Sequence, residues 1–423
     1  MNVQNVSDLG PDDRSALFDR DAGIGAIRED VRVIVERVRE EGDVALREFA
    51  SEFDDVDVGA LDISDDAEQA AATVDGDVHE AIDAAARNVR EFHERQVRSD
   101  WREDFDGREL GRRFRPLERV GVYVPGGSAA YPSSALMGVI PAVVAGVDEV
   151  VVTTPPAEKI NPVTLAAIHV AGADEVYAAG GAQAIAALAY GTETIPAVQK
   201  VVGPGNRWVT AAKAEVQGAV SIDFLAGPSE VLVIADDTAD PGFVASELLT
   251  QAEHDANAAV VAVTDDEAVG NAITEAVDEQ LPDRDRRETI EAALDNDASG
   301  VFLARSMSEA ILFADEFAAE HLSIQAADPE TILDRIDSAG SVFVGPHTPV
   351  AAGDYASGTN HVLPTNGLAK RYGGLSVDDF VRSTTIQRLD REGLESIAET
   401  IVTLADAEGL DAHAESVRRL VDR

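Results

Sequence analysis

From Arg119 onward, short apolar runs alternate with stretches in which apolar residues recur every three to four positions. The runs VGVYV, EVVVT, EVYAAG and KVVGPGN each come directly before such a stretch. Strands of parallel sheets are short and almost wholly apolar, and amphipathic helices follow them in βα units. Four βα units in a row therefore predict a doubly wound parallel sheet with helices on both faces.

A second block of similar texture follows. It contains the strand candidates AAVVAV at 258–263, VFLA at 301–304 and SVFVG at 341–345. Between the blocks, residues 221–255 read as a strand, a Gly-Pro-Ser turn, the apolar strand VLVIA and a helix from about Phe243. Another helix is predicted over MSEAILFADEFAAEH, ending in Glu320-His321. The fold class we expect is α/β, with two doubly wound Rossmann-like domains that have parallel-sheet cores.

The two ends of the chain have other patterns. Residues 1–20 read as a short arm with little core of its own, whereas the last forty or so residues are helical. Helical spacing also recurs between residues 31 and 96. We therefore predict four parts. They are an N-terminal arm of residues 1–20, a discontinuous first α/β domain of residues 21–118 and 233–375, a second α/β domain of residues 119–232, and a helical C-terminal segment of residues 376–423.

The chain is strongly acidic. Its 79 acidic and 34 basic residues give a formal net charge of -45 over 423 residues. Because the acidic residues are spread along amphipathic segments, they indicate a solvated surface suited to a high-salt cytoplasm and not a disordered tail. We expect no nucleic-acid partner, since no basic face could neutralise phosphates. An anionic dinucleotide would have to be held by local backbone N–H groups and helix N-termini.

Cysteine is absent from the sequence. This excludes disulfides, thiolate metal sites and catalysis through a thioester or thiohemiacetal. The polar, acidic N-terminus resembles neither a secretory signal nor a transit peptide. The most apolar stretch, Ala135 to Val147, is too short to cross a bilayer and contains Pro141. We expect a cytoplasmic protein without a membrane partner.

Three glycine-rich turns stand where predicted strands pass into helices. In open α/β sheets ligands bind at the carboxyl ends of strands, and glycine lets a backbone approach a phosphate or ribose closely. No turn is a complete GxGxxG, and any one of them is explained equally well as an ordinary βα connection. The three together favour a nucleotide cleft. They are Pro125-Gly126-Gly127-Ser128, Gly180-Gly181-Ala182-Gln183 and Gly203-Pro204-Gly205-Asn206.

The predicted helix after VLVIA ends with two candidate metal ligands. Gln251 and His254 stand three positions apart, which places both side chains on one helix face. A carboxamide oxygen and an imidazole nitrogen could supply half of a four-coordinate zinc site. By itself the pair is weak evidence, because a histidine near a helix C-terminus is more often a dipole partner or a surface residue.

A set of longer motifs resembles the histidinol dehydrogenases, in consistent order from about Arg119 to the C-terminus. The motifs are RVGVYVPGGS, GGAQAIAALAYG, VVGPGN, AGPSEVLVIAD, QAEHD, EHLSI, GDYASGTNHVLPT, GGLSV and AEGLDAH. Any one could arise by chance, but the ordered set is specific. The resemblance implies an NAD- and zinc-dependent homodimer with shared active sites. Its reaction would be the four-electron oxidation of L-histidinol to L-histidine through L-histidinaldehyde, the last steps of histidine biosynthesis.

The resemblance also implies roles for individual residues. The acid/base pair falls on Glu320 and His321. Positions that bind the nicotinamide dinucleotide fall on Tyr123, Gln183 and Asn206. The ligands of one zinc ion per subunit fall on Gln251, His254, Asp354 and His413. The substrate-binding positions are Ser229, Gln251, His254, His321, Asp354, Glu408 and His413, of which Glu408 and His413 would complete the partner's site.

Some neighbours of these positions depart from the family pattern. Thr250 stands where Ser or Ala is usual, Ala319 where Pro is usual, and Phe224-Leu225 where Met-Pro is usual. None of them replaces an implied site residue, so they bear on substrate affinity more than on reaction class. His361 is left out of the site because a turn-stabilising role is at least as good an interpretation.

The implied chemistry suits a chain without thiols. His321 is the candidate base that takes the hydroxyl proton as the first hydride leaves. Since no cysteine can attack the aldehyde, water must add to it and give a gem-diol, and Glu320 is the candidate that activates this water. Zinc would hold the substrate nitrogens and so position the alcohol carbon.

Other functions stay open at this point. A zinc hydrolase could use the same ligands and a neighbouring Glu to activate water on an ester or amide, and the glycine-rich turns count against it. A related dehydrogenase could act on another small alcohol, although Glu408 and His413 favour histidinol. A nucleotide-binding module without catalysis fits least, given the ordered acid/base and ligand residues.

Overall fold

The computed structural model describes residues 1–20, 22–126 and 130–422. The chain divides into two compact units. The first comprises Met1–Gln96 and Glu118–Phe380, and the second comprises Val97–Leu117 and Val381–Arg423. Both parallel sheets that the sequence predicts belong to the first unit.

One half of the first unit is a six-stranded parallel sheet. Its strands are β1 (Val3–Asn5), β9 (Glu230–Ala235), β10 (Ala259–Thr264), β11 (Gly300–Leu303), β12 (His321–Gln325) and β13 (Ser341–Val344). They lie in the order β1-β11-β10-β9-β12-β13, and β9 and β10 are buried along their whole length. This burial explains why their sequences are continuous apolar runs.

Helices cover both faces of this sheet, because successive residues of a strand point to opposite sides. Val231 and Val233 of β9 pack into one apolar cluster, whereas Leu232 and Ile234 pack into another. The first cluster includes residues of α10 (Pro241–Ala252), α11 (Glu267–Gln280), α12 (Arg287–Leu294) and α15 (Val350–Tyr355). The second includes residues of α1 (Pro11–Phe18), α13 (Met307–Phe317) and α14 (Pro329–Leu333).

The other half of the first unit is a five-stranded parallel sheet. Its strands are β4 (Arg119–Tyr123), β5 (Glu149–Thr154), β6 (Glu175–Ala178), β7 (Lys200–Val202) and β8 (Ser221–Ile222), in the order β6-β5-β4-β7-β8. The helices of its βα units are α6 (Pro132–Ala145), α7 (Pro162–Ala171), α8 (Gly181–Tyr190) and α9 (Arg207–Val216). The predicted fold class is confirmed, with four consecutive βα units in this half.

The N-terminal helices pack on the five-stranded half. They are α2 (Arg28–Glu41), α3 (Asp43–Phe53), α4 (Ser64–Thr73) and α5 (Gly76–Glu94). Val31 and Ile34 of α2 join one cluster with Ile185 and Leu188 of α8, while α4 contacts α7 and α5 contacts α6. The sequence predicts one domain of residues 21–118 and 233–375. The packing of α2 to α5 differs from this prediction, because their apolar faces pack on α6 to α9.

Three further elements differ from the sequence interpretation. Residues 1–20 include β1, which pairs with β11 at the edge of the six-stranded sheet, and Leu17, which is buried. The helix predicted to end at Glu320-His321 instead ends at Phe317, because Ala318 adopts a left-handed conformation with φ 52°. His321 is then the first residue of β12, between β9 and β13. Residues 381–389, inside the segment predicted to be helical, form a strand.

The second unit is a three-stranded antiparallel sheet with a helical hairpin. Its elements are β2 (Trp101–Asp104), β3 (Arg108–Pro116), β14 (Val381–Leu389), α16 (Arg391–Ala407) and α17 (Asp411–Val421). Most residues of β14 are exposed or half-buried, so its sequence VRSTTIQRL carries no apolar stripe. The absence of that stripe explains why the hydrophobic pattern gave no strand signal here.

Short 3₁₀ turns complete the secondary structure, at Val6–Asp8, Gly25–Ile27, Leu281–Asp283, Leu368–Lys370 and Val377–Phe380. Among the described residues, no helix has the length and apolar character that crossing a membrane requires.

Candidate active site

A cavity of about 2040 Å³ lies within the first unit and is lined by residues from both of its sheets. The five-stranded sheet contributes residues just after its strands, such as Gly181 after β6 and Gly203 after β7. The six-stranded sheet contributes residues at the starts of its strands, such as Glu230 of β9 and His321 of β12. The two sheets therefore present opposite ends of their strands to one cavity.

Chain connectivity explains this arrangement. Residues 223–229 lead directly from the carboxyl end of β8 to the amino end of β9. Because the link is short, the carboxyl end of β8 and the amino end of β9 lie near each other, and both sheet edges face the same space. Phe224, Gly227 and Ser229 of the link line the cavity.

The glycine-rich turns lie where the carboxyl ends of the strands meet the cavity. Gly203 has φ +111°, and a Cβ there would lie 2.2 Å from the carbonyl oxygen of Tyr123, so only glycine fits. The hydroxyl oxygen of Tyr123 accepts a hydrogen bond of 3.2 Å from the N–H of Gly181. Burial raises the pKa of Tyr123 to about 12, so it remains a neutral hydroxyl. Gly127 and Ser128 of the first turn lie outside the described residues.

The remaining dinucleotide candidates stand beside these turns. Asn206 caps α9, since its side-chain oxygen accepts hydrogen bonds from the N–H groups of Trp208 and Val209. Gln183 is buried in the first turn of α8. Both residues line the cavity together with Tyr123, and their roles in binding a dinucleotide stay predictions.

A buried ion pair fixes the Gly203 turn. The Nζ of Lys213 donates to the Gly203 carbonyl oxygen (2.6 Å) and to Asp223 Oδ1 (2.7 Å). Asp223 Oδ2 in turn accepts from the N–H of Gly203 at 2.9 Å. Both side chains are almost wholly buried, with exposures of 4% and 1%. The pair was not predicted from the sequence, although Lys213 is one of only four lysines in the chain and stands in the apolar helix AAKAEV.

On the opposite wall, Glu320 and His321 lie side by side and buried. His321 Nδ1 is 3.6 Å from Glu320 Oε2 and 3.1 Å from the carbonyl oxygen of Glu230. A bond from Nδ1–H to that carbonyl leaves Nε2 of the neutral ring as the proton acceptor. Nε2 is buried without a hydrogen-bond partner and lies 3.4 Å from Asp354 Oδ1. The geometry therefore supplies a free basic nitrogen in the cavity wall.

The charges of this group shift its pKa values. Burial raises the pKa of Glu320 to about 7, although the positive charge of His321 acts in the opposite direction. Burial alone would lower the pKa of His321, but the carboxylates of Glu320 and Asp354 outweigh it and raise this pKa to about 9. The two residues can thus exchange protons near neutral and mildly alkaline pH.

The proposed metal ligands of the first unit line the same cavity. Gln251 is in the last turn of α10, and His254 follows in the turn after the helix and not on its face. The Oε1 atom of Gln251 is buried without a hydrogen-bond partner. Asp354 lies on α15, and burial would raise its pKa, but the close approach of His321 and the charge of His321, with smaller contributions from His361 and His254, lower it. No group of three or more His, Cys, Asp or Glu side chains in the described ranges has a metal-binding arrangement.

Two residues outside the predicted site, Glu247 and His361, hold these candidates in place. Glu247, one turn before Gln251 on α10, is buried and accepts a 2.8 Å hydrogen bond from the N–H of Val350, where α15 begins. It therefore ties the helix of Gln251 to the helix of Asp354. His361 Nδ1 lies 3.1 Å from the carbonyl oxygen of Asp354, and His361 Nε2 lies 3.3 Å from Ser134 Oγ.

Of the last three site candidates, one lines the cavity and two lie in the second unit. Ser229 lines the cavity just before β9. Glu408 follows α16 and His413 lies in the first turn of α17, both exposed within the second unit. The structure therefore brings every site candidate except Glu408 and His413 together around one cavity. The roles of Glu408 and His413 stay predictions.

Comparisons with known proteins agree on one family. The family model described as histidinol dehydrogenase matches residues 19–420. A histidinol dehydrogenase of Haloarcula marismortui is 71% identical over 405 residues, covering 96% of this chain and 96% of that relative. One of Halobacterium salinarum is 70% identical over 406 residues, with the same coverages of 96%. The crystal structure of histidinol dehydrogenase from Elizabethkingia anophelis matches with a TM-score of 0.93 and 39% identity, over 98% of this chain and 96% of that one.

Proposed function

The chain belongs to the histidinol dehydrogenase family of oxidoreductases, and we propose that it oxidises L-histidinol to L-histidine through L-histidinaldehyde, reducing two NAD+. The observation that carries the proposal is the pairing of buried Glu320 and His321 on one wall of the cavity with the glycine-rich turns on another. The first group can move protons, and the second suits a dinucleotide.

In the first step His321 Nε2 takes the hydroxyl proton of the substrate as hydride passes to the nicotinamide. A pKa of about 9 makes the neutral ring of His321 a strong base, so the ring must have lost its own proton before this step begins. In the second step a water molecule adds to the aldehyde: Glu320 takes a proton from that water, and protonated His321 returns its proton to the aldehyde oxygen, which gives the gem-diol. The neutral ring of His321 then receives a hydroxyl proton of the gem-diol as the second hydride leaves. Each oxidation thus releases one hydride and one proton.

The donor set of Gln251, His254 and Asp354 fits a zinc ion. The unpartnered Oε1 of Gln251 supports this, because a buried carboxamide oxygen without a hydrogen bond is costly unless a ligand satisfies it. A fourth donor, His413, would come from a second subunit of a homodimer. When bound, zinc would grip the imidazole and amino nitrogens of the substrate. We expect His254→Ala to lower bound zinc, measured by atomic emission, and activity together.

A matched control is available for the zinc test. His347 is exposed on a loop, so His347→Ala should leave zinc content and activity unchanged. If the His254→Ala protein kept its zinc, His254 would not be a ligand.

The reaction itself is tested by stoichiometry. Purified protein is given limiting L-histidinol and excess NAD+, and NADH is followed by its absorbance. A ratio near two NADH per histidinol is expected from the four-electron reaction. A ratio near one would contradict the second oxidation, and no NADH would contradict the dehydrogenase and reopen hydrolysis.

We also propose that the enzyme is adapted to high salt and acts in the cytoplasm. The net charge of -45 and the identities of 71% and 70% to the Haloarcula and Halobacterium proteins support the first part. At molar salt the Debye length is about 3 Å, so repulsion between surface carboxylates is screened. Activity should therefore rise over a KCl series, and full activity at low ionic strength would contradict the adaptation.

A further inference from the structure

One residue, Glu230, contacts both members of the proton-transfer pair through its backbone. Its N–H donates a 2.9 Å hydrogen bond to Glu320 Oε2. Its carbonyl oxygen lies 3.1 Å from His321 Nδ1. The position of this single peptide segment therefore sets both the direction of the Glu320 carboxylate and the tautomer of His321.

The side chain of Glu230 is itself held on two sides. Arg20 Nε and Nη2 lie 2.8 and 3.1 Å from its two carboxylate oxygens, in a bidentate pair. The N–H of Asn366 donates to Oε1 at 2.8 Å. The Arg20 and Glu230 side chains are only 7% and 1% exposed. Charge-assisted bidentate pairs of this kind fix geometry more strictly than single hydrogen bonds do.

Arg20 also holds the other chain segment that leads to the pair. Its Nη2 donates to the carbonyl oxygen of Phe317 at 2.9 Å, and its guanidinium lies 3.7 Å from the centre of the Phe317 ring. Phe317 is the last residue of α13, three positions before Glu320. Arg20 therefore joins the start of β9 to the segment that carries Glu320 and His321.

Overall stability does not explain this arrangement well. A buried ion pair is expensive to desolvate, and an apolar pair of similar size is often at least as stabilising. What the ion pair supplies is a fixed distance and angle between the segments it joins. This fixed geometry is needed where a proton acceptor must stand within hydrogen-bond reach of a substrate.

We infer that Arg20 and Glu230 are positioning residues of the active site: their buried ion pair holds the β9 backbone that orients Glu320 and His321 for proton transfer. The inference rests on the proposed function and adds to it two residues that act through Glu320 and His321. It also gives the N-terminal segment, through Arg20, a role in catalysis.

The first test is Arg20→Met. We expect kcat for NADH formation from L-histidinol to fall by about 100-fold, the loss that a displacement of about 1 Å can cause, while the KM for NAD+ stays within about twofold. Arg20→Lys keeps the charge and one hydrogen bond, and it should recover part of the loss. The matched control is Arg14→Met. Arg14 lies in the same N-terminal segment and also forms an ion pair with α13, at 2.6 Å from Glu316, but its side chain is 42% exposed. This control should keep the wild-type kcat.

A second variant separates positioning from stability. Arg20→Met alone leaves the Glu230 carboxylate buried without a partner and can unfold the protein. The combined variant Arg20→Met with Glu230→Gln removes both charges, so its midpoint of thermal unfolding should lie near the wild-type value while kcat stays at least tenfold low. A folded double variant with wild-type kcat would overturn the inference.

A third measurement asks whether the loss acts through Glu320. In a Glu320→Gln background, Arg20→Met should lower kcat by less than tenfold, because one of the groups that it displaces is already gone. An undiminished loss of about 100-fold in that background would show independent action and contradict positioning of Glu320. Failure of the proposed function looks different, because the wild-type protein itself would then form no NADH from histidinol.

Discussion

The two parallel sheets of the first unit share one architecture but offer different chemistry to the cavity. The five-stranded sheet presents the carboxyl ends of its strands, where α8 and α9 begin, so helix N-termini face the cavity. The six-stranded sheet presents the amino ends of its strands, where α10 has ended and α13 leads into β12. The first edge suits an anion and the second suits a cation or a proton.

This difference shows how a strongly acidic chain can hold an anionic cofactor. Helix N-termini and backbone turns supply local positive potential where few basic side chains exist. At the other edge, burial alone would lower the pKa of His321, but the carboxylates of Glu320 and Asp354 raise it to about 9. In the proposed function, dinucleotide binding and proton transfer therefore belong to opposite strand ends, and each edge can be disturbed separately.

The largest expected effect comes from the proton-transfer edge. His321→Ala removes the free Nε2 acceptor, and we expect kcat to fall roughly 10³-fold, within the range of lost general-base catalysis. The KM for NAD+ should stay within about twofold, since the dinucleotide edge is unaltered, and bound zinc should be retained because His321 is not one of the proposed ligands. The measurements are steady-state kinetics and metal analysis, with His347→Ala as the control. Unchanged turnover would remove His321 from the mechanism.

The next largest effect tests the dinucleotide edge. Lys213→Met leaves Asp223 buried without its cation, and loss of one partner of a buried pair costs about 3–5 kcal/mol of the free energy of unfolding. Since the pair fixes the Gly203 turn, the KM for NAD+ should also rise about tenfold, equivalent to 1.4 kcal/mol, with a smaller change in kcat. Denaturant unfolding and NAD+ titrations measure the two effects.

The control for that edge is Arg28→Met. Arg28 of α2 is exposed and forms a 3.6 Å ion pair with Glu215, which lies on α9, the helix that also carries Lys213. Loss of this pair should change the free energy of unfolding by less than about 1 kcal/mol. If Lys213→Met lowered kcat and left the KM for NAD+ unchanged, the division of roles between the two edges would be wrong.

Much of the dinucleotide edge was predictable from sequence. VGVYV, EVVVT, EVYAAG and KVVGPGN are continuous apolar runs because their strands are buried on both faces, and each glycine-rich turn follows a strand. A turn that must approach another backbone leaves a glycine in the sequence, as Gly203 does opposite the carbonyl of Tyr123. Local sequence and local structure agree here, so short motifs sufficed.

The proton-transfer edge was less predictable from local patterns, because its groups meet only through tertiary packing. Arg20 lies 210 positions from Glu230, and no periodicity links them. The segment FAAEHLSI reads as the end of a helix until the left-handed Ala318 stops α13 and β12 begins at His321. Glu320 and His321 were identified through family resemblance, whereas their place at the start of a central strand needed coordinates.

The smallest effect concerns the charge of Glu320 and follows from its environment. Its pKa, about 7 instead of 4.5, means that the native protein holds this proton more tightly than the unfolded chain does. Its contribution to stability is therefore full below about pH 4.5 and is lost as the pH rises to about 7. Glu320→Gln should remove that loss and stabilise metal-free protein at pH 8 by about 1–3 kcal/mol, since one unit of pKa shift is about 1.4 kcal/mol. Denaturant unfolding at pH 5 and pH 8 measures the change, with exposed Glu330→Gln as the control. Equal free energies of unfolding for the wild-type and Glu320→Gln proteins at both pH values would mean that burial does not destabilise the ionised carboxylate. The proton-transfer edge would then cost the fold no more stability than the dinucleotide edge.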